Sequence, residues 1–129
     1  MTRRIDPLVA LAAARTAVGI GFIAAPQLAL PKENHDNSTA LFLMRTIGIR
    51  DLVLGAGGVW ARLRGTQPEF RRWAAVGFAS DVVDGAAAVA SARLIGKGSA
   101  ALAAGIVAPW VATGAVGLAR RPNGGNAPD

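Results

Sequence analysis

The sequence predicts an all-α fold, a four-helix transmembrane bundle, from its composition, its block pattern and its glycine content. Hydrophobic residues make up 52% of the 129 residues, which is more apolar surface than a soluble core of this size normally takes up. Four apolar blocks follow one another, each long enough to cross a bilayer, which needs about 20 residues. Aromatic residues are few and the chain has 16 glycines, as expected where helices pack closely in lipid.

The first two blocks, residues 5–30 and 39–63, are separated by a polar loop. Pro26 and Pro31 mark the end of the first block, since proline cannot continue a helix. Ser38 or Thr39 is a candidate N-cap for the second helix. The first block is long for a signal peptide and has Arg15 inside it, so we expect it to be retained as a helix.

The third and fourth blocks, residues 70–95 and 99–119, complete a single domain at 1–119. Gly65 and Pro68 separate the third block from the second. A tight turn at 96–98 precedes the fourth block, with Ser99 as its candidate N-cap. The polar tail at 120–129 is predicted to be disordered.

The distribution of Lys and Arg predicts that both termini face the cytoplasm and that the protein is a multi-pass protein of the cytoplasmic membrane. Eight basic residues fall on the inner side and three on the outer side, as the positive-inside rule requires. The inner set is Arg3, Arg4, Arg62, Arg64, Arg71, Arg72, Arg120 and Arg121, and the outer set is Lys32, Arg93 and Lys97. Trp60, Phe70 and Trp73 flank an inner loop, where aromatic side chains favour the headgroup layer.

Six charged residues lie inside the apolar blocks, where each costs about 2.5–3.5 kcal/mol at a bilayer centre if it is unpaired. Their formal charges sum to zero, so we expect them to pair in one buried network. Counted at about 1.5 Å per residue, all but Arg45 fall near one level. The six are Arg15, Arg45, Arg50, Asp51, Asp81 and Asp84.

Helical phase predicts which faces meet. Asp81 and Asp84 share one stripe of the third helix with small residues, where a neighbouring helix can approach closely. On the second helix, Asp51 shares a face with glycines at positions 48, 55 and 58, while Arg50 points elsewhere. The second helix therefore fits between the first and the third, with Arg15 or Arg50 bridging to the two aspartates.

Two interpretations of the network stay open. Charge balance favours a structural role, in which arginines and carboxylates satisfy one another. Alternatively, the network lines a cavity for a ligand, an ion or a proton. Asp81 and Asp84 repel each other, which favours a retained proton, but three arginines nearby argue against retention.

Other sites are not predicted. The chain has no cysteine, which excludes disulfides and thiolate chemistry. The single histidine, His35, falls in a polar loop, so we predict no metal site, and we predict no catalytic residue and no cofactor. We expect no nucleic-acid partner, since a soluble basic bundle would require the uncharged fourth block to be a core helix. Pro109 within that block predicts a kink, and Trp110 beside it is interpreted as a packing residue.

The pattern of Arg45, Gly48, Arg50, Asp51, Leu54 and Gly55, followed by Asp81, Asp84 and Gly85, resembles a family of small bacterial and fungal membrane proteins known only as a domain of unknown function. The resemblance covers residues 7–119. The chain is also loosely similar to the DoxX-like four-helix membrane proteins, some of which are linked to oxidoreductase complexes or quinones. These resemblances imply a four-helix membrane fold, and because the first family has no established activity, no catalytic residue carries over from it.

The sequence thus favours a non-enzymatic accessory or scaffold protein that lies in the lipid bilayer. We expect it to form a homo-oligomer or to be part of a larger membrane complex. One alternative is transport of protons, ions or small molecules through the polar centre. Another is a quinone- or lipid-binding accessory of a membrane oxidoreductase.

Overall fold

The computed structural model describes residues 5–120, and within that range the chain is helical with no strand. Four long helices carry the fold, and a fifth is a single turn. They are α1 (Pro7–Ala24), α2 (Ser38–Arg64), α3 (Gln67–Ala90), the short α4 (Ala92–Ile95) and α5 (Lys97–Ala119). The predicted disordered tail lies almost entirely outside the described residues.

The long helices contact one another in a ring. α1 packs against α2 and α5, and α3 packs against α2 and α5. α2 therefore lies between α1 and α3, as its two charged faces predict. Three helices, α1, α3 and α5, are long and apolar enough to cross a membrane by length and composition. α2 is longer, with 27 residues, but it carries three charged residues in its central part.

The first helix is shorter than the predicted block. α1 ends at Ala24, and Pro26–Ala29 forms a 3₁₀ turn instead of a further α-helical turn. Ala25 adopts φ −140° and ψ 63°, because the ring of the following proline disfavours α-helical geometry at the residue before it. The prediction that this block runs as one helix to residue 30 was therefore wrong.

Two of the predicted caps were also wrong. Asn37 caps α2, since its side chain accepts a hydrogen bond from the backbone N–H of Ala40 at 3.1 Å. Ser38 is already helical. α5 begins at Lys97, two residues before Ser99, after Gly96 with φ +85°, a left-handed conformation that suits glycine.

The start of α3 has a clear local cause. Thr66 and Glu69 form a capping box, in which the Thr66 side chain accepts from the Glu69 N–H and the Glu69 carboxylate accepts from the Thr66 N–H. Reciprocal caps of this kind fix a helix N-terminus. Pro68 consequently lies in the first turn of α3, where proline is tolerated, and only Gly65 ends α2.

The apolar core is small and lies at one end of the molecule. Leu8, Ala61 and Phe70 form it, with Val9, Ala74 and Leu118 packed around them. Phe70 is 1% exposed and packs inside this core, whereas Trp60 is 68% exposed. Arg71 lies at the same end and donates to the carbonyl oxygens of Leu118 and Arg120 at the C-terminus of α5.

Close helix packing at the α1–α2 contact depends on glycine. A Cβ atom on Gly48 would lie 2.9 Å from the carbonyl oxygen of Gly19, and one on Gly55 would lie 2.8 Å from that of Ala12. Both distances are shorter than van der Waals contact. The backbones of α1 and α2 thus approach each other as helices do where small residues line the interface.

The outside of the molecule is apolar and its middle is charged, which reverses the usual order of a soluble protein. Arg15, Asp51 and Asp81 are buried, at 4%, 9% and 6% exposure. Large apolar side chains are exposed on all four long helices. They include Ile20, Phe42, Leu43, Ile49, Val53, Leu63, Val76, Val83, Val89, Leu102, Ile106 and Val116.

Candidate functional site: a buried arginine–aspartate network

Arg15 stands at the centre of the candidate site. It is the ninth residue of an 18-residue helix that begins at Pro7, so it lies at the middle of α1. Its Nη1 donates to Asp51 Oδ1 of α2 at 3.0 Å, and its Nη2 donates to Asp81 Oδ2 of α3 at 2.5 Å. The same Nη2 lies 3.5 Å from the carbonyl oxygen of Gly77. One guanidinium therefore joins α1, α2 and α3.

The fourth long helix reaches the same guanidinium through an aromatic ring. Arg15 Cζ lies 5.4 Å from the centroid of the Trp110 ring on α5, within the range of a cation–π interaction. Sequence reasoning treated Trp110 as a packing residue and missed this contact. Because α5 carries no charged residue near its middle, only the position of Trp110 in the helix could have indicated it.

Arg50 extends the network along the α2–α3 contact. Its Nη1 and Nη2 bond to Asp84 Oδ1 and Oδ2 at 2.9 Å and 2.7 Å, a bidentate geometry that matches the planar guanidinium to a carboxylate. Nη2 also lies 3.3 Å from Asp51 Oδ1. The Nε of Arg50 is buried without a hydrogen-bond partner among the described residues.

The ion pairs form one continuous chain from α3 through α2 and α1 and back to α3. Asp51 is the shared member, since its Oδ1 accepts from both arginines. The burial of the chain falls from one end to the other. The side chains of Arg15 and Asp81 are 5% and 8% exposed, whereas those of Arg50 and Asp84 are 32% and 37% exposed.

Arg45, the sixth predicted member, lies apart from the other five. It is exposed, and its Nε donates to the carbonyl oxygen of Ile23 at 3.4 Å, close to the C-terminus of α1. A cation at a helix C-terminus interacts favourably with the helix dipole. Arg45 thus contributes to the packing of α1 on α2 and not to the charge network, which the structure builds from five residues.

Space around the network is limited. A cavity of about 20 Å³ lies beside Arg15, between the apolar side chains of α1, α2 and α3. That is room for about one water molecule. A larger groove of about 340 Å³ lies on the outside of α1 and α2, with walls that are almost entirely apolar. It is lined by Ala13, Thr16, Ala56, Val59, Trp60 and Leu63.

Two further predictions concern metals and the proline. Within residues 5–120, no group of three or more His, Cys, Asp or Glu side chains is arranged to hold a metal ion. His35 Nε2 lies 3.1 Å from the carbonyl oxygen of Leu30 in the loop between α1 and α2. α5 runs through Pro109 without interruption, and Thr113 Oγ1 donates to the Pro109 carbonyl oxygen at 2.7 Å.

Comparison of the chain with protein-family models, with curated proteins and with solved structures gave no match. The family resemblance therefore stays a prediction.

Proposed function

We propose that the chain is a multi-pass protein of the cytoplasmic membrane with four membrane-crossing helices, both termini in the cytoplasm, and a non-enzymatic accessory or scaffold role. Support for the membrane part comes from the apolar exterior around a charged centre. Paired charges inside a bundle are tolerated in a bilayer because they satisfy one another away from lipid. α2 then crosses as the fourth helix, with Arg50 and Asp51 paired to charged residues of α1 and α3.

The observation that carries the non-enzymatic role is the filled polar centre. Sites for small molecules are usually clefts of about 300–1,000 Å³ that have a few convergent polar groups. The cavity beside Arg15 has a volume of only about 20 Å³ and walls that are mostly apolar, while the charged groups of the network are paired with one another. The large groove has the volume of a binding site, but apart from Thr16 it lacks polar side chains.

An assembly role has its own support on α5. Small residues recur along one exposed stripe of this helix, at helical spacing: Ala101, Gly105, Ala108, Ala112, Ala115 and Ala119. A Cβ atom added to Gly105 would meet no atom within 4 Å. Stripes of small residues are where membrane helices associate, so this stripe supports a homo-oligomer or a larger membrane complex.

Topology can be tested cleanly because the chain has no natural cysteine. Single cysteines at Asp36, Gly65 and Gly98 are labelled in intact cells with a membrane-impermeant maleimide. We expect labelling at Asp36 and Gly98 from outside and at Gly65 only after the membrane is opened. Labelling of Gly65 in intact cells, or of none of the three before opening, would contradict the proposed topology.

The filled centre is tested by reconstitution. The full chain is placed in liposomes with a pH-sensitive dye inside, and a potassium gradient with valinomycin drives proton entry. We expect no flux above that of protein-free liposomes. Flux that scales with the amount of protein would contradict the scaffold role and favour transport.

A further inference from the structure

The five-residue network does not balance its own charge. Two guanidiniums, Arg15 and Arg50, face three carboxylates, Asp51, Asp81 and Asp84. The arginine that would complete the balance, Arg45, is exposed and bonds to Ile23 instead. When every group is ionised, the network therefore has one negative charge in excess.

An excess charge among groups that are buried or half-buried is unfavourable, and the usual response is that one group takes up a proton or that a cation binds. A metal cation does not fit here, because the carboxylates in the described residues are not grouped around a common point. Each is paired along the chain of arginines instead. A proton needs only one free carboxylate oxygen.

The geometry indicates which of the three carboxylates takes up the proton. Asp84 uses both oxygens in its pair with Arg50 and is the most exposed of the three, so water and the bidentate pair both favour its ionised form. Asp51 accepts from both guanidiniums, which makes its surroundings the most positive. Asp81 is buried, and Arg15 is its one ion-pair partner among the described residues, a partner that it shares with Asp51.

We propose that Asp81 holds a proton on Oδ1 at neutral pH, so that the centre of the molecule is a proton-binding site with no net charge. Its Oδ2 keeps the hydrogen bond from Arg15. The step is a simple proton transfer, in which a hydronium ion gives up one proton to Oδ1 and leaves as water.

The charged groups that face Asp81 come from three helices. α1 contributes Arg15, α2 contributes Arg50 and Asp51, and α3 contributes Asp84 one turn further along. α5 adds the ring of Trp110 beside Arg15, and its one charged residue before Arg120 is Lys97 at its N-terminus. The inference rests on this set and does not depend on the proposed topology or scaffold role.

Infrared spectroscopy of the full chain in detergent micelles at pH 7 tests the proposal directly. The C=O stretch of a protonated carboxylic acid is separate from the bands of carboxylates and amides. We expect the wild type to show this band with an intensity of one carboxylic acid per chain. Absence of the band in the wild type would overturn the proposal without any variant being needed.

Charge-conserving variants then identify the group that holds the proton. Asp81→Glu should move the band, because the acid is now a glutamic acid, whereas Asp84→Glu should leave it in place. Arg45→Gln, outside the network, should leave both position and intensity unchanged. A band that moves in Asp84→Glu and stays in Asp81→Glu would overturn the assignment to Asp81.

Neutralisation gives an independent readout. Asp81→Asn should abolish the band and leave the melting temperature close to that of the wild type, because an amide has the shape and charge of the neutral acid. Retention of the full band in a folded Asp81→Asn protein would overturn the proposal.

Discussion

The guanidinium of Arg15 lies 5.4 Å from the centre of the Trp110 ring, and this contact brings α5 to the charge network. Arg15 itself belongs to α1, and α2 and α3 each bind its guanidinium through an ion pair. Replacing Trp110 by leucine should therefore lower the free energy of unfolding by about 0.5–2 kcal/mol, the usual size of a cation–π interaction. Thermal unfolding in detergent measures the loss. Trp60→Leu is the control, since that ring is 68% exposed and should matter less.

Removal of Arg15 itself should have the largest effect of any single change in the network. Arg15→Gln removes the closer of the two ion-pair partners of Asp51 and the one ion-pair partner that Asp81 has among the described residues. Breaking a buried pair in this way costs about 3–5 kcal/mol. The matched control is Arg45→Gln, which removes the same charge outside the network and should cost less than about 1 kcal/mol. Equal melting temperatures for the two variants would show that the network does not stabilise the fold.

The α1–α2 contact can be tested with two glycines of the same helix. Gly19→Leu places a side chain where its Cβ atom alone would lie 2.7 Å from the Gly48 carbonyl oxygen, so the helices must separate. Overpacking of this kind costs roughly 1–3 kcal/mol, and more where backbone is in the way. Gly21→Leu meets nothing within 4 Å and should be neutral or slightly stabilising, because leucine is the better helix former. Unfolding of the two variants in parallel gives the comparison.

Arg71 should stabilise the C-terminal end of α5 more than it stabilises the fold as a whole. Its guanidinium donates to the carbonyl oxygens of Leu118 and Arg120 at 2.5 Å and 3.1 Å, which have no partner within the helix. In Arg71→Gln, amide hydrogen exchange should become faster over residues 114–120, with little change at the centre of α5. Arg72→Gln, which removes a neighbouring charge without these bonds, should leave the exchange unchanged.

The exposed stripe on α5 predicts a change in assembly. Gly105→Leu places a large side chain where a second helix would approach most closely. We therefore expect the wild type to form an oligomer in mild detergent and this variant to form a smaller species. Sedimentation of the detergent complex gives the mass. Ile106→Phe enlarges the next residue, which is exposed but outside the stripe, and should not alter the mass. If the wild type is already monomeric in mild detergent and in nanodiscs, the stripe has no role in self-association.

Helical periodicity predicted the packing faces well. The face that contains Gly48, Asp51, Gly55 and Gly58 was expected from spacing alone, and all four residues are buried. This succeeded because helices fix the direction of each Cα–Cβ bond, so residues three and four apart share a side. A face of glycines and aspartates also gains no stability from contact with lipid, because glycine has no apolar side chain and a charged carboxylate is unfavourable there.

The membership of the network was harder to predict from the sequence. Arg45 and Arg50 lie on one helix and carry the same charge, but the side chain of the first turns towards the C-terminus of α1 and that of the second towards Asp84. A long side chain can reach several partners, and the choice among them depends on tertiary neighbours. The prediction of charge balance failed because it included Arg45, although the depth count had already placed this residue away from the other five.

On the proposed topology, the charges of α2 have a consequence for biosynthesis. α2 carries Arg45, Arg50 and Asp51, and it is the one long helix outside the set that qualifies by length and composition. Its partners lie on the helix made before it and the helix made after it. α2 should therefore leave the insertion machinery only together with α1 and α3, so that the membrane receives these three helices as one folded unit rather than one by one.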